Sequence, residues 1–356
     1  MRILIVGGAG YIGSHTARAL RRHGYEVILY DNLSTGHREL AEDFELVVGD
    51  IGNRQMLLSV MPRVEGVIHF AALAYVGESV RNPRKYFRTN VESSLTLLNT
   101  ALDAGIRNFV FSSTCAVYGM PARLPIAEDT PRQPINPYGM SKLFFENALE
   151  SYARAYALRF ASLRYFNAAG ADESGEIGEI HDPETHLIPL ALAAAAGRGP
   201  DLQIFGSDYP TEDGTCIRDY IHVNDLAEAH VLAVGRLLDG AESFAVNLGT
   251  GRGHSIRQVL NVVAQVTGRE VPQHFTPRRL GDPAVLVADP TLAQQLLGWR
   301  AKRDLHDIVS TAWRWLQCRP GRPCEVVGSS LPSCVLDSPA HEAQSVMRFS
   351  SESSPD

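Results

Sequence analysis

The chain has 356 residues, more than a single hydrophobic core usually sustains, so a large domain with a second lobe is expected. A composition that is 45% hydrophobic and 21% charged is that of a globular protein, and a formal charge of −7 argues against a nucleic-acid binder held by a broad basic surface. No apolar run approaches the roughly 18 residues of a membrane span, and the opening MRILIVGGAG is too short an apolar stretch for a secretory leader; it reads as a buried first strand of a cytoplasmic protein.

Short apolar runs then alternate with helical patterns: RILIVGG, YIGSHTARALRRHG, YEVILYDN, FELVVGD, GVIHFAA, a helix around VESSLTLLNTALDAG, and NFVFSST. Strand, helix, strand in this order implies parallel strands joined by right-handed crossovers, hence an α/β fold with a Rossmann-type doubly wound sheet. The first turn is the most informative. Gly8, Gly10 and Gly13 spell G-x-G-x-x-G, and Gly7 joins Gly10 and Gly13 in a G-x-x-G-x-x-G, directly after a strand and opening a helix. Glycines there let the backbone turn tightly and approach a pyrophosphate, which the helix N-terminus attracts. Asp31, about 20 residues on, can accept hydrogen bonds from an adenosine ribose and would repel a 2′-phosphate, favouring NAD over NADP. Asp50, ending VVGD, either reaches the adenine or caps a turn.

INPYGMSK places Tyr138 four residues before Lys142, just after Pro137. Proline suits the first turn of a helix, so a helix is expected to begin here, with the phenol and the ammonium on one face. An ammonium that close favours the phenolate, and the pair can serve as a general base near neutral pH. The cysteines, at 115, 216, 318, 324 and 334, include no C-x-x-C and no histidine partner at zinc spacing, so neither a disulfide framework nor a metal site is expected. From about Arg319 the chain is rich in Ser and Pro and is expected to be a flexible tail, residues 317–356.

The stretches GGAGYIGSHT, HFAALAYVGESV, SSTCAVYG, PYGMSK, RYFNAAGA and YPTEDGTCIRDYIHVNDLAEAH occur in that order. Together they resemble the extended short-chain dehydrogenase/reductases, and within these most closely the UDP-glucose (UDP-galactose) 4-epimerases, from residue 1 to about residue 316. The resemblance implies an NAD-binding domain over 1–167 with returning segments from about 217–250, and a mainly substrate-binding lobe over 168–316. It implies a UDP-sugar substrate, tightly bound NAD, a 4-keto intermediate, and homodimers formed through the helix starting at Pro137 and the one near residues 90–104.

By the same resemblance Tyr138 is the base, Lys142 its partner and a ligand of the nicotinamide ribose, and Thr114 the hydroxyl that bonds the reacting sugar. Strand-end capping is the plainer alternative for Ser113 and Thr114. The implied cofactor contacts are Gly7, Gly10, Tyr11, Ile12, Gly13, Asp31, Asn32, Asp50, Ile51, Phe70, Ala71, Ala72, Asn90, Ser112, Tyr138, Lys142 and Tyr165. Implied substrate contacts are Thr114, Asn167, His186, Leu187, Phe205, Arg218, Arg279, Asp282 and Leu286. Of these, the two arginines suit a diphosphate, Asp282 a ribose and Phe205 a uracil, although Phe205 also reads as core and His186 as a helix cap. Leu286 stands where members differ in bulk beside the sugar 2-substituent, and Ala74 where some carry lysine, so acceptance of N-acetylated sugars stays open. A UDP-pentose or UDP-uronate 4-epimerase and a silent NAD-binding regulator are the rival readings. A 4,6-dehydratase is disfavoured because Thr114-Cys115 stands where the acid/base carboxylates would be.

Overall fold

A computed structural model describes residues 1–279 and 282–318; of the expected tail, residues 317–356, Gln317 and Cys318 end the helix Leu305–Cys318 instead, and the rest lies outside the described residues. The strands are β1 (Arg2–Val6), β2 (Glu26–Asp31), β3 (Glu45–Val48), β4 (Gly66–His69), β5 (Asn108–Thr114), β6 (Arg159–Tyr165), β7 (Asn167–Ala169), β8 (Leu202–Phe205), β9 (Ile217–Arg218), β10 (Tyr220–His222), β11 (Phe244–Leu248), β12 (His254–Ser255), β13 (Gln273–Thr276) and β14 (Val285–Leu286). Seven of them form one sheet in the order β11-β6-β5-β4-β1-β2-β3. Every pairing in it is parallel, with Val6 opposite both Tyr30 and His69. The expected α/β doubly wound sheet is therefore the observed architecture. Because β2 and β4 flank β1, the chain reverses its direction of travel across the sheet there, and the crevice beyond the strand C-termini is where such sheets bind ligands.

Parallel strands covered on both faces read as continuous apolar runs, and Ile3, Leu4, Ile5 and Val6 are all fully buried. One face packs against Ala17 and Leu20 of the helix Tyr11–Arg22 and Leu226 and Val234 of the helix Val223–Leu238. The opposite face packs against Leu57, Leu97, Leu98, Phe145 and Leu149. Each such side chain contributes on the order of 1.5–3 kcal/mol by leaving water.

A third core lies within residues 169–312, where Ile188 and Leu192 meet Val259, Val263 and Ile308. Three small sheets border it: β7 with β10, β8 with β13, and β9 between β12 and β14. The pairing of β9 with β14 sets Arg218 opposite Leu286, bringing two segments distant in sequence to one place.

Candidate active site

The glycine turn is fixed by close packing. Gly7 has φ +82°, and a Cβ on it would lie 2.5 Å from the Ala71 nitrogen, while one on Gly13 would lie 2.2 Å from the Gly7 carbonyl oxygen. Backbone, rather than flexible side chains, fills both spaces, so neither position tolerates a larger residue without moving the turn. Gly10 is different. It is the N-cap of the helix Tyr11–Arg22, no side chain caps that helix, and its first turn holds no acidic residue. The unsatisfied N–H groups and the positive end of the helix dipole are thus available to an anion.

Asp31 is buried at the end of β2 and accepts from the N–H of Ala9 (3.0 Å) and of Leu33 (2.8 Å), tying the glycine turn to the second strand. Burial raises its pKa, and the two backbone bonds oppose that rise. Each oxygen keeps a lone pair for a further donor such as a ribose hydroxyl. Asp50 is exposed; it accepts from the Gly52 N–H at 2.8 Å and from the side chain of Asn32 at 2.9 Å, which is the turn-capping alternative seen directly. Phe70 and Ala71 both donate their N–H to the Val6 carbonyl (2.7 and 3.0 Å), and Ala72 follows them half-buried at the mouth of the crevice strand β4. Ile51 lies in the sheet core, Ile12 packs against the opposite one, and the Tyr11 hydroxyl donates to the Gly170 carbonyl at 2.6 Å. Asn90 acts as a clamp: it donates to the Leu73 carbonyl (2.9 Å) and Ser141 Oγ (3.0 Å) and accepts from the Leu73 N–H (2.8 Å).

Pro137 opens the helix Pro137–Tyr156 as expected, and Asn136 caps it by accepting from the Gly139 N–H at 2.8 Å. Tyr138 therefore sits in the first turn and Lys142 one turn later. Lys142 is 3% exposed and donates from Nζ to the Ser112 carbonyl at 2.8 Å, so the helix is pinned to β5. Ser112 Oγ is in turn hydrogen-bonded to the Tyr165 hydroxyl. Thr114 ends β5, accepts from the Ala116 N–H at 3.2 Å, and lies close enough to the Tyr138 phenol to draw its pKa down. The strand-end capping expected of Thr114 is thus observed.

The electrostatics run opposite to the expectation that Lys142 favours a phenolate. Burial pushes the Tyr138 phenol up to about 12, with Thr114 pulling it part of the way back. Lys142 is itself lowered to about 7, chiefly by burial, with the carboxylate of Glu146 opposing. Desolvation is thus the largest influence on both groups.

Arg218 is buried and donates to Asp282 at 2.5 Å, so an expected diphosphate ligand and an expected ribose ligand are paired with each other. Arg279 lies exposed over the Phe205 ring, 3.9 Å from its centre. Asn167, in β7, donates its N–H to the Asp219 carbonyl at 3.0 Å. Leu286 packs with Val117, Tyr118, Phe166 and Ala288. His186 precedes the helix Leu187–Ala195 but makes no side-chain cap; its Nδ1 points to Glu179 and Glu184 instead.

Sequence reasoning missed two buried carboxylates. Glu146, one turn after Lys142, accepts from Arg164 (2.9 and 2.7 Å), Arg132 (3.0 Å) and Ser113 Oγ (2.5 Å), bracing the helix against β5 and β6. Its signal was available, since Glu146 continues the face that carries Tyr138 and Lys142. Asp219 accepts from the N–H of Thr250, Gly251 and Ala288 and so joins β9 to two distant loops. No local pattern marks it.

Residues 3–249 match the NAD dependent epimerase/dehydratase family. The UDP-glucose 4-epimerase of Rhizobium meliloti (strain 1021) is 52% identical over 315 residues, 88% of this chain and 96% of that protein. Among solved structures, the UDP-glucose 4-epimerase from Brucella ovis in complex with NAD is 54% identical with a TM-score of 0.86, over 88% of this chain and 97% of that one. The UDP-glucose 4-epimerase from Bifidobacterium longum in complex with NAD+ and UDP is 36% identical with a TM-score of 0.85, over 90% and 99%.

Proposed function

The chain belongs to the NAD-dependent epimerase/dehydratase family, and from that premise we propose that it interconverts UDP-galactose and UDP-glucose by inverting the sugar at C4. It is an enzyme, and its cofactor is NAD. The observation that carries this reading is the meeting of Tyr138, Thr114 and Lys142 at the C-terminal end of β5, two strands from the glycine turn that follows β1.

Gly7, Gly10 and Gly13 would receive the cofactor pyrophosphate, Asp31 an adenosine ribose, and Lys142 the nicotinamide ribose. Bound there, NAD would supply the hydride acceptor and donor for C4, with a 4-keto sugar between the two transfers, and in its oxidised form a positive charge. Tyr138 Oη takes the proton of the sugar 4-hydroxyl and returns it after inversion. Thr114 Oγ1 holds the phenol and the hydroxyl in line. A phenol pushed up by burial is a competent donor for the return, and a cation beside it is what the forward transfer needs. Arg218 and Arg279 would grip the diphosphate, Asn167 would contact the sugar nucleotide and Phe205 would face the uracil. Firm anchoring of the nucleotide leaves the sugar free to present its other face. On this account Asp282 loosens its hold on Arg218 when the nucleotide enters and turns to the ribose.

Two copies would pair through the helix Pro137–Tyr156, whose outer face leaves Met140 and Phe144 exposed. A cytoplasmic setting agrees with the free thiols of Cys115, Cys216 and Cys318 and with the finding that, among the described residues, no helix is long and apolar enough to cross a membrane.

The test is incubation of the purified protein with UDP-galactose and no added reductant, with UDP-N-acetylgalactosamine, UDP-xylose and UDP-glucuronate in parallel. Catalytic formation of UDP-glucose is expected. Turnover of UDP-glucuronate alone, or of no substrate while NAD stays bound, would overturn the reading.

A further inference from the structure

The loop between β7 and the helix Leu187–Ala195 reads Glu179-Ile180-His181-Asp182-Pro183-Glu184-Thr185-His186, so a Glu-x-His unit occurs twice. One ligand atom from each of Glu179, His181, Glu184 and His186 lies within 4.8 Å of all the others. His181 Nδ1 is 3.0 Å from Glu179 Oε1 and 3.7 Å from Glu184 Oε2; His186 Nδ1 is 2.7 Å from Glu179 Oε1 and 3.1 Å from Glu184 Oε1. Donors around a four-coordinate zinc ion, at bonds of about 2.0–2.1 Å, stand about 3.3 Å apart, and the four imidazole-to-carboxylate distances bracket that spacing.

Three further observations favour an ion at their centre. The carboxylates are almost wholly buried, with side chains 6% and 4% exposed, and among the described residues no lysine or arginine pairs with either. His181 Nδ1 is buried and makes no hydrogen bond despite its two carboxylate neighbours. Oε1 of Glu184 accepts from the N–H of Thr185 and of His186 at 2.8 Å each, which orients the carboxylate and leaves Oε2, on the His181 side, for an ion.

We propose that Glu179, His181, Glu184 and His186 form a structural zinc site. Two carboxylates balance the ion's two charges, two imidazoles complete a tetrahedral set, and four protein ligands leave no open position for catalysis. The cysteine spacings gave no reason to expect a metal, and these four residues contain no sulfur. The rings of Tyr11 and Tyr75 each lie 6.3 Å from that of His181, and the Tyr75 hydroxyl donates to the Pro183 carbonyl at 3.1 Å. The ion would therefore fasten the loop against Tyr11, at the start of the glycine-turn helix, and set the direction in which Leu187 begins the helix of the second lobe. His186, expected as a substrate contact, is on this account a ligand of the ion instead.

The test uses the full-length protein, stripped with a chelator, then titrated with zinc against a chromogenic competitor, with metal content read by mass spectrometry. One zinc per chain is expected, lost in His181→Gln and in Glu184→Gln, with a thermal midpoint that zinc raises in the wild type only. Cobalt(II) in the wild-type site should give the intense visible bands of a four-coordinate centre without a thiolate charge-transfer band, a readout that needs no variant to fold. Substoichiometric zinc, a weak six-coordinate cobalt spectrum, thiolate ligation, or zinc kept by both variants would overturn the proposal.

Discussion

Lys142 shows how burial and function compete in one side chain. Its pKa is lowered to about 7 from the ordinary 10.5, chiefly by burial. Below about pH 7 the ammonium is charged in both folded and unfolded chains, and the fold carries the whole desolvation penalty. Between about 7 and 10.5 the folded protein releases a proton that the unfolded chain keeps, so stability should rise with pH across that window. Urea unfolding of the NAD-free protein should show this slope, and Lys142→Met should flatten it; equal slopes in the two proteins would mean that Lys142 is not desolvated as described. Thr114→Val removes the partner that draws the Tyr138 phenol down, and should lower kcat by roughly tenfold to a hundredfold with little change in KM. A change confined to KM would make Thr114 a binding group only.

The two elements that build the site owe their shape to short-range rules, and were correspondingly legible. Asn136-Pro137 marks a helix start because the asparagine side chain caps and the proline has no N–H to lose, and the helix begins there. The turn after β1 was legible because backbone occupies the space where side chains would be. Gly13→Ala brings a methyl against the Gly7 carbonyl, so NAD retained on purification should fall to a small fraction of wild type while the circular dichroism of the sheet and helices survives. Full NAD retention would show that the turn is not the cofactor's cradle. What stayed hidden is long-range: Arg218 meets Asp282 across 64 residues, and Asp219 collects N–H groups from loops about 30 and 70 residues away, through pairings no local pattern encodes. The buried Glu146 lies between, since it sits on the legible helix face but its partner Arg164 arrives from β6.

At the scale of the whole molecule, the parallel sheet followed from alternating strands and helices, and the place of the crevice from the strand order β4-β1-β2. The small sheets beside the third core were not legible, because their strands, of two to four residues, are too brief for periodicity to reveal, β9 and β14 among them. The exposed Phe144 and Met140 belong to this scale as well. If that face joins two copies, Phe144→Glu should shift the mass seen by light scattering from dimer to monomer, and an unchanged mass would place any association elsewhere.

Everything in the proposed chemistry passes through one oxygen, the Tyr138 hydroxyl. The most direct measurement compares UDP-galactose turnover and bound NAD in the wild type and in Tyr138→Phe, which removes that oxygen and nothing else. Loss of turnover by at least about a hundredfold, as expected for removal of a positioned acid–base group, with NAD still bound at wild-type stoichiometry, is the expected result. Wild-type turnover by the phenylalanine variant would show that the proton leaves by another route and that the site has been read wrongly.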